Sequence, residues 1–262
     1  MKTLPRMLAT ALAVVSLALT GCAASSAGPS DGPASTSQNQ PLIIFAAASL
    51  QGAFDELAVA FTAAHPEYPE PTIQYDGSQA LATQIIDGAD VDVIAFASEE
   101  SLVPVTAAGR ADAGEIFASN TLQIAVAPGN PHGIEDLADL ADPALSVVLC
   151  APEVPCGAAS ATLLRNAGVE VTPVSEETNV TSVVTRVASG EADAGLVYAT
   201  DVAAASGALE GITPAGAADV ANRYPLAIAT DAPSPQAARE FATFVLSSEG
   251  RKILAAFGFG AP

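Results

Sequence analysis

The chain has 262 residues, half of them hydrophobic, and carries 9 Lys and Arg against 29 Asp and Glu, for a formal charge of −20. That balance excludes nucleic-acid binding, which needs a basic surface, and the composition is that of a soluble globular protein. An acidic protein can still hold an anion where the site itself is built of well-aimed donors.

In chain order, Lys2 and Arg6 form a short basic region ahead of an apolar run from Met7 to Leu19, followed by small residues. This is the layout of a secretory signal peptide over residues 1–21, and its removal makes the chain more acidic. The run is too short for a bilayer, which takes about 20 apolar residues. It ends Leu19-Thr20-Gly21-Cys22, which resembles the bacterial lipobox, so lipidation of Cys22 is expected; the alternative is an ordinary signal peptide with an accidental cysteine. Residues 22–40, rich in Ser, Ala, Gly, Pro and Gln, read as a lipidated Cys and flexible tether. The expected location is extracytoplasmic, lipid-anchored to the cell membrane. Gly28-Pro29-Ser30-Asp31-Gly32 matches the G-x-S-x-G pattern of hydrolases, but it lacks the strand and helix that pattern requires. Asn179-Val180-Thr181 is a glycosylation sequon without meaning in a bacterial lipoprotein.

From residue 41 the chain alternates strands and helices. Leu42 to Ala46 reads as a strand, and Leu50, Ala53, Phe54, Leu57, Ala58 and Phe61 recur at helical spacing until His65-Pro66. Thr72 to Tyr75 reads as a strand, Asp76 to Gln79 as a turn, and Leu81, Ile85 and Ile86 as a helix ending near Gly88. Val91 to Ala97 is a buried strand interrupted by Asp92; further strands are expected at Thr121 to Ala127, Leu145 to Cys150, Gly195 to Tyr198 and Leu226 to Thr230. Helices are expected from about Gly157 to Ala167, along the stripe Val180, Val183, Val184 and Val187, and from Pro235 to Phe257 with a break at Gly250. The alternation predicts an α/β fold with mostly parallel sheet.

Lipid on Cys22 would leave Cys150 and Cys156. In an oxidising exterior an even pair suggests a disulfide, worth about 2 kcal/mol for so short a loop; two free buried thiols are the other reading. His65 and His132 show no zinc-ligand spacing. Ligands of open α/β sheets sit at the carboxyl ends of strands. The residues there are Ser49, Ser78, the Pro155-Cys156-Gly157 turn, Asn179-Val180 and Tyr198. They offer hydroxyls and backbone N–H groups, several at helix N-termini, and no cation. Each also has a plain structural reading. Ser49 and Ser78 suit helix N-caps, Tyr198 suits a packed aromatic, and Val180 could act only through its backbone. A hydrolase built on Ser49 or Ser78 lacks a motif-placed nucleophile and a histidine in catalytic context; no catalytic residue and no cofactor is expected.

Several blocks together resemble the molybdate-binding proteins of ABC importers: Phe45 to Leu50, Gly77 to Ile85 followed by Val91-Asp92-Val93, Pro152 to Gly157, Gly195 to Tyr198 followed by Asp201, and Gly258-Phe259. The resemblance runs from about residue 41 to the end. It implies a type II periplasmic-binding-protein-like fold: two α/β lobes joined by two crossing strands, with the ligand in the cleft. Residues 41–120 plus 225–262 would form lobe 1, and 121–224 lobe 2. It further implies an oxyanion shell of Ser49, Ser78, Cys156, Val180 and Tyr198 around molybdate or tungstate. Delivery would be by a monomer to a membrane permease with its ATPase. Sulfate, phosphate or a small organic acid is the alternative cargo. The sequence departs from the family at Gly77-Ser78-Gln79, which is less Ser-rich, at Asp76, and at Cys156, where a small residue is common. A carboxylate facing the cleft would favour a protonated oxyanion.

Overall fold

The computed structural model describes residues 40–262. The expected signal peptide, Cys22, the tether up to residue 39 and the Gly28 to Gly32 match lie outside the described residues. Among the described residues no helix is long and apolar enough to cross a membrane.

Strand β1 (Ile43–Ala47) leads through a 3-10 turn at Ala48–Leu50 into helix α1 (Gln51–Ala64). Side chains alternate across a strand: Ile44 and Ala46 enter one apolar cluster, Phe45 another. A strand covered on both faces belongs mid-sheet, and β1 lies between β2 (Thr72–Asp76) and β3 (Val93–Ala95), parallel to both. On α1, Phe54, Leu57, Ala58 and Phe61 turn one apolar face to the sheet, and Pro66 forbids continuation past His65. Helices α2 (Ser78–Ile86) and α3 (Glu99–Ala107) cover the opposite face. β4 (Glu115–Asn120) completes the outgoing path of the chain.

One residue, Thr121, separates β4 from β5 (Leu122–Val126), which already belongs to a second sheet. That sheet also holds β6 (Val147–Cys150), β7 (Ser175–Glu177), β8 (Ala194–Tyr198) and β9 (Glu210–Ile212). Its helices are α4 (Pro155–Ala167), α5 (Val180–Ala188) and α6 (Ala199–Ala204). The chain then returns through β10 (Asn222–Ile228) to the first sheet, and α7 (Pro235–Leu246) and α8 (Ser248–Ala256) pack beside α1. Strand orders are β2-β1-β3-β10-β4 and β7-β6-β8-β5-β9. Each sheet has its own apolar core.

The sheets are mixed rather than mostly parallel, because β10 runs against β3 and β4, and β5 against β8 and β9. These are the strands adjoining the two passages between sheets, and a passage that returns must reverse direction. Asp92 does not interrupt a long strand but precedes a short one: its buried carboxylate accepts N–H groups from Ile43 at 2.9 Å and Ser234 at 2.6 Å. β10 starts at Asn222, ahead of the expected Leu226, because the ladder absorbs Pro225 in a register shift at Tyr224/Pro225. The C-terminal helix breaks at Ser247, whose hydroxyl caps α8 by accepting from Gly250 N–H at 3.2 Å; Gly250 is helical.

Candidate functional site

Ser49 follows β1, Ser78 follows β2, Cys156 follows β6, Val180 follows β7, and Tyr198 ends β8. All five line one small chamber between the two sheets, together with Asp76, Gly77 and Asn179. The chamber is tight, a cavity of about 10 Å³. Its lining contains no Lys or Arg. A wider groove of about 460 Å³ opens alongside, past Gln51, Tyr75 and Arg186. In that groove Arg186 is already paired with Glu177 and Glu191.

Neither serine caps its helix. The N-caps of α1 and α2 are Leu50 and Gly77, with no side-chain bond at either. The Ser78 hydroxyl, 1% exposed, instead accepts the Ala97 N–H at 3.0 Å. One of its two lone pairs is thereby used, and its hydrogen is left to donate. The Ser49 hydroxyl bonds the Tyr224 hydroxyl at 3.0 Å.

The other wall works through backbone. Pro155 starts α4, lacks an N–H to leave unpaired and fixes a helical φ. The first α4 amide to reach back is Ala158, to the Val154 carbonyl at 2.9 Å, so the Cys156 N–H belongs to the free first turn. The helix begins two residues earlier than expected because Pro155 opens it. Cys150 and Cys156 form a disulfide with Cα atoms 5.8 Å apart, tying the end of β6 to this turn. A Cβ on Gly157 would sit 1.9 Å from the Ala151 carbonyl oxygen, so no larger residue lets the loop close on the helix. Val180 opens α5, and Asn179 caps it by accepting the Ser182 N–H at 3.0 Å. The Val180 N–H is thus another first-turn donor with no helical partner.

Tyr198 is 1% exposed, and its hydroxyl makes no hydrogen bond of good geometry among the described residues, although the Tyr224 hydroxyl is near enough to interact with it. Burial first of all, with Tyr224 and Asp201 adding to it, holds this phenol well above its ordinary range, so it remains a donor. The Tyr198 N–H binds the Asp201 carboxylate at 2.9 Å, while burial pushes Asp201 up to about 7.

The two walls also touch each other. Gln79 Nε2 donates to the Thr178 carbonyl at 2.9 Å, and Asn179 Nδ2 to Asp76 Oδ1 at 3.1 Å. Asp76 Oδ1 also accepts the Gly77 N–H at 2.7 Å. A Cβ on Gly77 would stand 2.3 Å from the Thr178 carbonyl oxygen. Sequence reasoning passed over Gly77 as a closure point, over the Asp76–Asn179 contact, and over Asn120 and Tyr224 behind Ser49. Only the Gly before Ser78 carried a local signal. His65 lies away from the chamber with Glu67 and Glu240, within 4.8 Å of one another, a grouping that no local spacing reveals. His132 pairs with Asp193 at 3.0 Å.

Among known proteins, the chain is 40% identical to the molybdate-binding protein ModA of Mycobacterium tuberculosis over 241 residues, covering 92% of this chain and 90% of that one. It is 30% identical to the putative ABC transporter substrate-binding lipoprotein YvgL of Bacillus subtilis, covering 90% of this chain and 93% of that one. Its fold matches the Azotobacter vinelandii periplasmic molybdate-binding protein with a TM-score of 0.73 at 20% identity, over 84% of this chain and 99% of that structure. Residues 42–260 match the family of bacterial extracellular solute-binding proteins, and with strand-end donors converging between two α/β sheets, the chain belongs to that family.

Proposed function

We propose that this protein captures molybdate, or its near-isostere tungstate, outside the cytoplasm and delivers it to the permease of an ABC importer. The observation that carries the proposal is the convergence of Ser49, Ser78, Cys156, Val180 and Tyr198 on one chamber, with the Tyr198 hydroxyl buried there without a well-formed hydrogen bond. A buried polar group without a partner costs about 1–3 kcal/mol, a cost removed when an acceptor fills the chamber. Ser49 and Ser78 would donate hydroxyls, Cys156 and Val180 backbone N–H groups, and Tyr198 its phenol. Each hydrogen bond to a charged group contributes about 1.5–3 kcal/mol, so a few aimed donors can hold a dianion without Lys or Arg. The proposed role is binding, the role that the family of extracellular solute-binding proteins is named for.

A donor-only shell rejects protonated phosphate, whose O–H needs an acceptor. Asp76 is the one carboxylate in the lining; its Oδ1 receives two N–H groups, which leaves Oδ2 as the acceptor a protonated anion would need. The donors in the lining outnumber that one carboxylate, and this balance is what favours the fully deprotonated anions. On this reading lobe 1 comprises residues 41–120 plus 225–262 and lobe 2 residues 121–224, hinged where the chain crosses at Thr121 and before β10. Lipid on Cys22 would hold the monomer at the membrane beside its importer, in keeping with the lipoprotein designation of the Bacillus relative. Calorimetry of the purified protein against molybdate, tungstate, sulfate and phosphate tests the cargo. Sub-micromolar binding of molybdate or tungstate is expected; tighter binding of sulfate or phosphate overturns it. Membrane retention that survives Cys22→Ala would refute the anchor.

A further inference from the structure

Behind Ser49 lies a buried polar chain that the donor shell does not include. Asn120, 4% exposed, ends β4 at the passage between sheets, and Tyr224, 0% exposed, stands beside it on β10. The Asn120 Oδ1 accepts the Thr121 N–H at 3.0 Å. That bond settles which way the amide faces, since an N–H must meet an oxygen. The Nδ2 then points to the Thr200 hydroxyl at 2.7 Å and, at 3.4 Å, to the Tyr224 hydroxyl. An amide nitrogen only donates. Tyr224 therefore accepts from Asn120, and its single hydrogen is free to go to Ser49 Oγ, 3.0 Å away. Burial, above all, raises the Tyr224 phenol beyond its ordinary range, so that hydrogen is always present.

We infer that Asn120 and Tyr224 are positioning residues that bias the polarity of Ser49: they occupy one of its two lone pairs and leave its hydrogen for the chamber. The consequence is selectivity. A serine free to rotate can accept an O–H from a protonated anion as readily as it donates to a deprotonated one; a serine with one lone pair occupied and its hydrogen aimed at the chamber accepts less readily. This inference rests on the oxyanion reading above and adds to it how one wall biases the charge state of the cargo. The chain of bonds begins at the strand passage itself, so the orientation of the donor is anchored where the two halves of the molecule join.

The test is calorimetry of the full protein and two variants with molybdate and phosphate. Tyr224→Phe keeps the ring, which packs edge-on against Phe117, Tyr198 and Phe259 at 5.5 to 6.2 Å, and removes only the hydroxyl. Molybdate affinity is expected to fall about 3- to 10-fold, the worth of one net hydrogen bond, while phosphate affinity is unchanged or rises. Asn120→Asp replaces the donor by an acceptor, so the Tyr224 hydrogen turns to it and Ser49 presents a lone pair to the chamber. Its shift in the molybdate-to-phosphate ratio should be larger, and should vanish in the Tyr224→Phe background. A shift that persists there comes from the added charge alone and overturns the inference. So does a Tyr224→Phe protein whose affinity ratio equals the parent's. A parent protein that binds neither molybdate nor tungstate refutes the oxyanion reading instead, before any variant is compared.

Discussion

The two walls of the chamber offer different chemistry. The wall from the first sheet presents side-chain hydroxyls, Ser49 and Ser78, each held by a bond to a second buried group. The wall from the second sheet presents the first-turn amides of α4 and α5, together with a phenol that makes no well-formed hydrogen bond among the described residues. A hydroxyl donor can be deleted by one substitution. A backbone donor cannot, and is reached only through what shapes its helix start. The walls should therefore fail in different ways, and substitutions can separate them.

The largest effect is expected where the walls touch. In Gly77→Ala the new methyl would meet the Thr178 carbonyl oxygen at 2.3 Å, so closure is blocked while each half folds as before. Affinity for molybdate should fall on the order of 100-fold, about 2.7 kcal/mol, with little change in the melting temperature of the free protein. Solution scattering in the presence of ligand would show an open shape; a closed one would refute the clash.

Next comes Ser78→Ala. It removes a donor and also strands the Ala97 N–H it accepts from, so affinity should drop roughly 10-fold or more and stability by about 1–3 kcal/mol. Tyr198→Phe is its counterpart on the other wall. The affinity loss should be of similar order, but because the phenol makes no well-formed hydrogen bond among the described residues, the free protein should be no less stable. Parallel calorimetry and thermal melts distinguish them; a destabilised Tyr198→Phe protein would show that the hydroxyl has a structural bond after all.

Opening the Cys150–Cys156 bridge should act on the amide wall. Stability should fall by about 2 kcal/mol for so short a loop, and affinity several-fold as the α4 turn loosens. Unchanged anion affinity in Cys150→Ala would show that Gly157 and Pro155 shape the turn alone. The smallest effect concerns pH. Burial raises Asp201 from 3.8 to about 7. Between those values the folded protein keeps a proton that the unfolded chain has lost, so stability declines as pH rises from about 4 to about 7 and levels off above. Asp201→Asn can still accept the Tyr198 N–H, and should flatten part of that decline and stabilise the protein at pH 8. A residual slope should remain, since burial raises Asp92 as well. Denaturant melts across that range give the slopes directly.

How much of this was legible beforehand follows from the range of each interaction. The helical spacing on α1 and the apolar run of β1 are local patterns, and both elements form close to where the pattern puts them. β4 has no clean alternation, and Pro225 inside β10 reads as a breaker. The passage between sheets, with Asn120 and Tyr224 on it, was therefore hidden. The five candidate donors could be found because strand ends are visible in a sequence. That the serines do not cap their helices could not, because Ala97 and Tyr224 lie 19 and 175 positions from the serines they engage.

The sequence by itself determined which residues stand at strand ends, that they are neutral donors, and that the two cysteines could close a loop. Periodicity, composition and short spacings carry that information because they act within a few residues. Tertiary structure alone decided that the five donors share one chamber, that Gly77 gives the opposite wall room, and that the Tyr198 phenol makes no well-formed hydrogen bond among the described residues. It also placed Tyr224 against Ser49 and Asn120 behind Tyr224. These depend on contacts between segments far apart in the chain, whose geometry exists only once both sheets are packed.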